Sequence, residues 1–414
     1  MAGTITEYSS GLTASAGLRG AVLGPDNNVW FTEYSQNKVC KVTSGGTITE
    51  YSVPTGTNPW DICSDGTNLW FTCAGNDKIV KCTTAGSMTE YAAGTSQPRG
   101  ICYGPDGNLW VACDSGNAIL KVTTGGSVTT YTSGITASAR PRSICSDGTS
   151  LWFTEFSTST TKVGKITTSG TVTEYSTGLT SGCQPTDICY NAGDGCVWIT
   201  EFVGNKIAKV TSAGSITEYS SSATGPGAIR AFRGELWVAG QTADNIVRVA
   251  ASGTEVATYT SGLTTPCSPR CVTPGNDDRV WFGGWTSNKV IAVTAPLVKT
   301  YTADAKIVSR SSSTYTVDSI IKQVDSTTHT LDVVVKAAAS GAPSAPGTPA
   351  VSGTFDGYTL GSDRYSRILL GVTTSGDTTH LTIERSANGG STWADVTSNC
   401  WQIGTASGIL VIDH

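Results

Sequence analysis

Histidine is almost missing from this chain. Of 414 residues only His329, His380 and His414 are histidines, so the first 328 residues lack the side chain that most often serves as a base near neutral pH. Charge is sparse as well: 14% of residues are charged and the net charge is −5, with no Lys and Arg cluster of the kind that attracts phosphate backbones or anionic membranes. Nucleic acid is therefore excluded as a partner. No apolar run approaches the length of a bilayer span, and Met1 to Ser10 has neither the basic start nor the apolar core of a secretion leader. The expectation is a chain neither embedded in a membrane nor exported by a visible signal. Long amphipathic helical stretches are also scarce, whereas Gly, Ser and Thr abound, which suits many short strands joined by tight turns.

What the chain does contain is a repeat. Trp30, Trp70, Trp110, Trp152, Trp198, Trp237 and Trp281 each lie in a strand-like run, spaced 39 to 46 residues apart. One four-stranded propeller blade per repeat produces that period. The expected fold class is all-β: a seven-bladed β-propeller over residues 1–302, followed by a small β-sandwich-like C-terminal domain.

The third repeat is the cleanest. It runs from Gln97 to Cys102, turns at Gly104-Pro105-Asp106-Gly107-Asn108, and continues through Leu109 to Cys113, Ala118 to Thr123 and Ser127 to Tyr131. Turn formers separate β-branched runs of strand length. The Trp is expected to pack between neighbouring blades, because no other side chain at that register buries as much area. Lys41, Lys81, Lys121, Lys165, Lys209 and Arg248 alternate with apolar neighbours and are expected to form a solvated edge. A fourth-strand motif ending in Tyr occurs eight times, from Tyr8 to Tyr301, one more than the Trp count. Thr4 to Tyr8 is thus a candidate clasp for the last blade, with the spare copy near Val298 to Tyr301 competing for that place or leading into the next domain.

Thirteen cysteines in a long chain without a leader read as reduced thiols, with Cys63, Cys102, Cys145 and Cys189 as buried filler after Ile. Cys63 with Cys73, and Cys102 with Cys113, are the pairs that an oxidising environment would favour. No CxxC pair or His cluster points to zinc.

The phrases Val29-Trp30-Phe31-Thr32-Glu33, Leu151-Trp152-Phe153-Thr154-Glu155 and Val197-Trp198-Ile199-Thr200-Glu201, with Asn37-Lys38-Val39, Asn205-Lys206-Ile207 and the Thr-Glu-Tyr strand, resemble the virginiamycin B lyase (streptogramin lyase) family over residues 1 to about 301. The resemblance implies a seven-bladed propeller that opens a cyclic depsipeptide by elimination, with magnesium and with His residues following a Pro at the start of the innermost strand. At the matching positions this chain has Arg19, Trp60, Arg99, Arg142, Thr186, Gly227 and Arg270. Arginine stays protonated and is not an ordinary general base. The expectation is a lyase scaffold without the family's histidines, without catalytic residues, and with no cofactor unless retained lyase activity brings magnesium.

Arg19, Trp60, Asp61, Arg99, Arg142, Thr186, Asp187 and Arg270 are the ligand-binding candidates, gathered at one channel mouth where guanidinium groups suit carboxylates, sulfates or sugar acids. The alternative is a plug, in which those Arg residues pair with the channel carboxylates Glu33, Glu155 and Glu201. An enzyme using one of those Glu residues as a base is a further alternative.

After Tyr301 the repeat stops. Residues 303–336 read as a β connector, with strands at Lys306-Ile307-Val308, Tyr315-Thr316-Val317 and Leu331 to Val335; 337–349 reads as an Ala, Ser, Gly and Pro linker, and 350–414 as a small β domain. Ser386 to Trp393 resembles the Asp-box hairpin and the matching turn of fibronectin type III-like modules. The three His residues are scattered singly and read as surface residues. The whole resembles phage tail and other virion surface proteins. The expected role is thus non-enzymatic adhesion, with 303–414 contacting other virion proteins and the mouth taking an acidic glycan or other anion.

Overall fold

The computed structural model describes residues 3–294 in full and, beyond them, the backbone of six strands at Thr316–Val324, Leu331–Ala338, Val351–Phe355, Ser366–Gly371, His380–Arg385 and Ala394–Asp395. Contacts divide the chain between Ala295 and Pro296. No helix occurs among the described residues, and none is long and apolar enough to cross a membrane.

Residues 4–294 form seven four-stranded antiparallel sheets. Their innermost strands, Leu18–Leu23, Pro59–Ser64, Pro98–Tyr103, Pro141–Ser146, Pro185–Asn191, Pro226–Phe232 and Pro269–Pro274, touch in sequence, and the last touches the first. The ring is a seven-bladed propeller. Thr4–Tyr8 supplies the outermost strand of blade 7, pairing Thr4 with Thr294 and Tyr8 with Val290. This clasp removes the free edge that a linear array would leave. The spare motif near Val298 to Tyr301 lies outside the described residues, as do Lys306 to Val308, residues 339–349 of the 337–349 linker, the Ser386 to Trp393 turn, His329 and His414, while residues 337 and 338 belong to the Leu331–Ala338 strand. The later strands pair as two antiparallel three-stranded sheets, Thr316–Val324 with Leu331–Ala338 and Val351–Phe355, and Ser366–Gly371 with His380–Arg385 and Ala394–Asp395.

The seven Trp side chains are almost wholly buried, and they sit between blades as expected: Trp30 of blade 1 packs on Ile62, Leu69 and Phe71 of blade 2. Each stacks on the Tyr of its own outer strand, as in Trp110 with Tyr131 at 5.6 Å between centroids. In six of the seven, all but Trp237, the indole N–H donates to an Asp in the preceding turn, Asp106 for Trp110 at 3.0 Å. That Asp then corrects the reading of the third-strand cations. Lys121 does not stand free in solvent: its Nζ lies 5.6 Å over the Trp110 ring, 2.8 Å from Asp106 and 3.3 Å from the Thr168 carbonyl of blade 4. Lys41 and Lys209 repeat the arrangement with Asp26 and Asp194, Lys81 and Lys165 lie over Trp70 and Trp152, and Arg248 is buried against Glu235. A residue that alternation turns outward on an inner strand pair still meets the rim of the buried indole, so it fastens one blade to the next.

All twelve described cysteines are free, including Cys63, Cys73, Cys102 and Cys113. Cys73 pairs across the ladder with Pro59, while Cys63 lies opposite Trp70, so the proposed partners sit at different ladder positions. The two disulfide pairs are therefore not formed. Burial pushes the Cys73 thiol up to about 12.

Candidate functional site

Every inner strand starts with the same distortion. Between Pro98 and Ile101 the ladder gains one extra residue relative to the partner strand, and the other blades show the same shift. Such a bulge frees the residues after the Pro from regular pairing and re-aims their side chains. The residue before the Pro is held in left-handed backbone, as at Asn58, Gln97, Arg140, Gln184 and Ser268. At Asn58, Gln97, Arg140 and Ser268 its N–H is caught by a side chain of the preceding blade: Asn37 Oδ1 takes Asn58 at 2.8 Å and Asp77 Oδ1 takes Gln97 at 2.7 Å. Thr32 completes the clamp, accepting the bulged Gly20 N–H at 2.8 Å and donating to the Trp60 carbonyl of the next blade at 3.0 Å. Thr154 does the same for Ser143 and the Thr186 carbonyl. The Thr of the repeated Trp-Phe-Thr-Glu phrase thus positions the site, a role its sequence setting does not reveal.

The clamps bring the post-Pro residues to one end of the channel. A cavity of about 50 Å3 is lined by Arg19, Trp60, Asp61, Arg142, Thr186, Asp187 and Arg270. Arg99 stands beside this lining, with its guanidinium 4.2 Å over Trp60 and 2.7 Å from Asp114, a carboxylate shared with Arg140. Arg19 also lies over Trp60, 3.4 Å from the ring centroid, Arg142 over Phe156 at 3.6 Å and Arg270 over Trp285 at 4.2 Å. Among the described residues Arg19, Arg142 and Arg270 have no carboxylate partner, and the Nε atoms of Arg19, Arg99 and Arg270 are buried without a hydrogen-bond acceptor. Burial first, and then the neighbouring Arg142, Arg270 and Arg99, push the Arg19 pKa well down; burial and Arg99 bring Arg142 to about 9. A guanidinium stays protonated at neutral pH. The mouth is thus a concentrated positive field in partly desolvated surroundings.

Glu33, Glu155 and Glu201 are not channel carboxylates, and they pair with none of these arginines. Each is fully buried at the end of its blade's second strand, facing the outermost strand, where Glu50, Glu174 and Glu218 hold Lys38, Lys162 and Lys206 at 2.6, 2.5 and 2.5 Å. Strand alternation explains the error: Thr32 is turned toward the clamp, so Glu33 next to it must face away. Burial, aided by the facing Glu, raises Glu33 and Glu201 to about 7 and Glu155 to about 9. Cys183 joins Glu201 and Glu218 in a group whose donor atoms lie within 4.8 Å of one another, but the Lys206 ammonium already neutralises Glu218.

Sequence reasoning missed the floor and the second rim. Arg230 occupies the place after Ile229 where four other blades carry Cys63, Cys102, Cys145 and Cys189, a break in the repeat that was there to be read. Its Nη1 sits 2.7 Å from Asp187, which also accepts Ser143 Oγ at 2.6 Å and the Ile229 N–H at 2.9 Å. Burial opposes the Arg230 charge, but Asp187 and Asp61 outweigh it and hold its pKa above the usual value. Burial brings Asp61 up to about 6, Arg230 drawing it down and Asp187 pushing it up, while its two oxygens accept the Ile62 and Ile101 N–H groups. Tyr34, Asp114, Phe156, Gln241 and Trp285 form the second rim, each one residue past its blade's second strand and bonded to the left-handed residue before the inner strand. Gly227 makes room there, since a Cβ would lie 1.4 Å from Gln241 Nε2.

These donors do not fit the magnesium ion that the family resemblance implies. Guanidinium groups crowd the mouth, and the Asp61 and Asp187 oxygens are taken by backbone N–H groups, Ser143 and Arg230.

Residues 1–226 and 149–306 match the virginiamycin B lyase family. A streptogramin B lyase structure is 30% identical, covering 71% of this chain and 98% of that chain with a TM-score of 0.64. Virginiamycin B lyase from Staphylococcus aureus is 28% identical, covering 71% of this chain and 100% of that chain, again with a TM-score of 0.64. A catalytically inactive histidine-to-alanine variant of the same enzyme, with quinupristin, gives the same figures. No curated protein matches the chain.

Proposed function

The chain belongs to the virginiamycin B lyase family, and from that premise we propose that its propeller is a non-enzymatic binding head for anionic ligands, acidic glycans among them. One observation carries the reading: three half-buried arginines, Arg19, Arg142 and Arg270, come together without carboxylate partners among the described residues. Uncompensated charge in a desolvated site is costly unless a ligand of opposite sign shares it. The propeller also contains no His to accept a proton in the manner the family resemblance implies. The setting we propose is a virion tail or surface, with the chain beyond residue 302 contacting other virion proteins; a low-charge propeller fused to further β strands supports it. Mass spectrometry of purified particles checks that setting, and failure to find the chain there refutes it.

An array of acidic and neutral glycans, probed with the parent chain and with Arg142→Ala, tests the binding reading. Acidic-sugar signal that falls in the variant is expected; an unchanged signal overturns the site. The enzyme reading draws on Asp61, a carboxyl near 6 lining the cavity. Incubation with quinupristin and magnesium separates the two, since linear product formed by the parent and lost in Asp61→Asn would replace the binding head with a lyase.

A further inference from the structure

We propose that the group gripped at the mouth is a tetrahedral oxyanion, a sulfate or a phosphate, free or as an ester; the inference rests on the anion-binding reading above. The aromatic walls argue first. Arg19 and Arg99 cover Trp60, Arg270 covers Trp285, and Arg142 covers Phe156. Those rings already carry guanidinium groups, which compete with a sugar ring for the aromatic planes. A guanidinium over a ring instead offers its N–H edge, the part that grips oxyanions in pairs of hydrogen bonds.

Direction and size argue next. The three unpartnered guanidiniums come from blades 1, 4 and 7 and so approach from different sides. A carboxylate has two oxygens in one plane and is satisfied by one fork, whereas a tetrahedral oxyanion presents acceptors on every side. The 50 Å3 cavity holds roughly three to five water-sized groups at about 10–15 Å3 each, the scale of four oxygens around one centre. Below it the Arg230, Asp187 and Ser143 network closes the floor, so anything esterified to the anion must lie outside.

Isothermal titration of the full chain, at fixed ionic strength in chloride, tests this with inorganic phosphate, inorganic sulfate, glucose 6-phosphate, glucose 6-sulfate and glucuronate. Phosphate or sulfate species should bind at least about 10-fold tighter than glucuronate, and the ratio of free ion to ester identifies the source. Arg142→Ala and Arg270→Ala should each weaken binding by roughly 10- to 100-fold, the loss of one charged hydrogen-bond partner. Arg142→Lys should recover only part, because a lysine has no fork. In the free protein each Ala variant should melt no lower than the parent, since it relieves repulsion among the arginines. Glucuronate binding as tightly as the phosphate ester overturns the tetrahedral assignment and leaves the anion reading standing. Absence of binding by every anion overturns both.

Discussion

Asp187→Asn attacks the floor of the channel with a change of one atom type. Asp187 accepts Ser143 Oγ on one oxygen, and Arg230 Nη1 and the Ile229 N–H on the other. An Asn can keep the first bond, but its amide N–H2 then confronts two donors. Removing one partner of a buried ion pair costs about 3–5 kcal/mol. Arg230 retains Asp61 as a second counter-charge and its side chain is 29% exposed, so about 2–3 kcal/mol is the expected loss here. At about 2–4 °C per kcal/mol for a large domain, the melting temperature should fall by roughly 4–12 °C. Thermal and urea unfolding followed by Trp fluorescence measure this, because seven of the nine propeller indoles are buried. Replacing both partners, as Asp187→Leu with Arg230→Met, should recover most of the loss, since the stranded charge is gone. A single variant within about 0.5 kcal/mol of the parent, or a double variant less stable than the single, would refute the reasoning.

Two further expectations concern protons and thiols. Burial raises Asp61 to about 6, Glu33 and Glu201 to about 7 and Glu155 to about 9, so the folded state keeps protons that the unfolded chain releases above about 4–4.5. Their stabilising contribution is complete below that range and is lost as pH climbs through 6 to 9; Glu155→Gln should flatten the melting profile above pH 7, and an unaltered slope would contradict the shift. Glu90 and Asp106 run the other way: burial opposes their charge, but Thr55 and Lys78, and Lys121 and Trp110, overcome it and draw both down to about 2. Stability from these two is full above about pH 4.5 and disappears as pH falls toward 2. The propeller thiols should react with a disulfide reagent only after denaturation, because burial raises Cys73 to about 12 and Cys82 to about 11. Rapid labelling of several thiols in the native protein would show that the blades open.

The blade count was legible because one Trp per repeat is a periodic mark, and period survives without knowledge of contacts. Arg19, Trp60, Asp61, Arg142, Thr186, Asp187 and Arg270 were legible for the same reason: they hold one place in the repeat, and symmetry carries that place to the channel mouth. Arg99 was located correctly but stands aside, turned toward Asp114, a residue from a different position of the repeat. Glu33, Glu155 and Glu201 were assigned to the wrong side of their strands, because the neighbouring Thr32, Thr154 and Thr200 take the clamp side and alternation turns each Glu away from it. Arg230 and Gln241 escaped notice because a search by repeat position overlooks a blade that departs from the pattern.

Sequence alone determined the number of blades, the burial of the Trp ring and the absence of imidazole from the propeller. These follow from spacing and residue type, which are properties of the chain. Only the tertiary structure decided which charges meet. Arg19, Arg142 and Arg270 are separated by more than a hundred residues and become neighbours through ring closure, while Lys38 neutralises Glu50 twelve residues away and leaves Glu33 buried beside it. Pairing of charges depends on distance through space and on desolvation, and neither is written in the order of residues until the ring has closed.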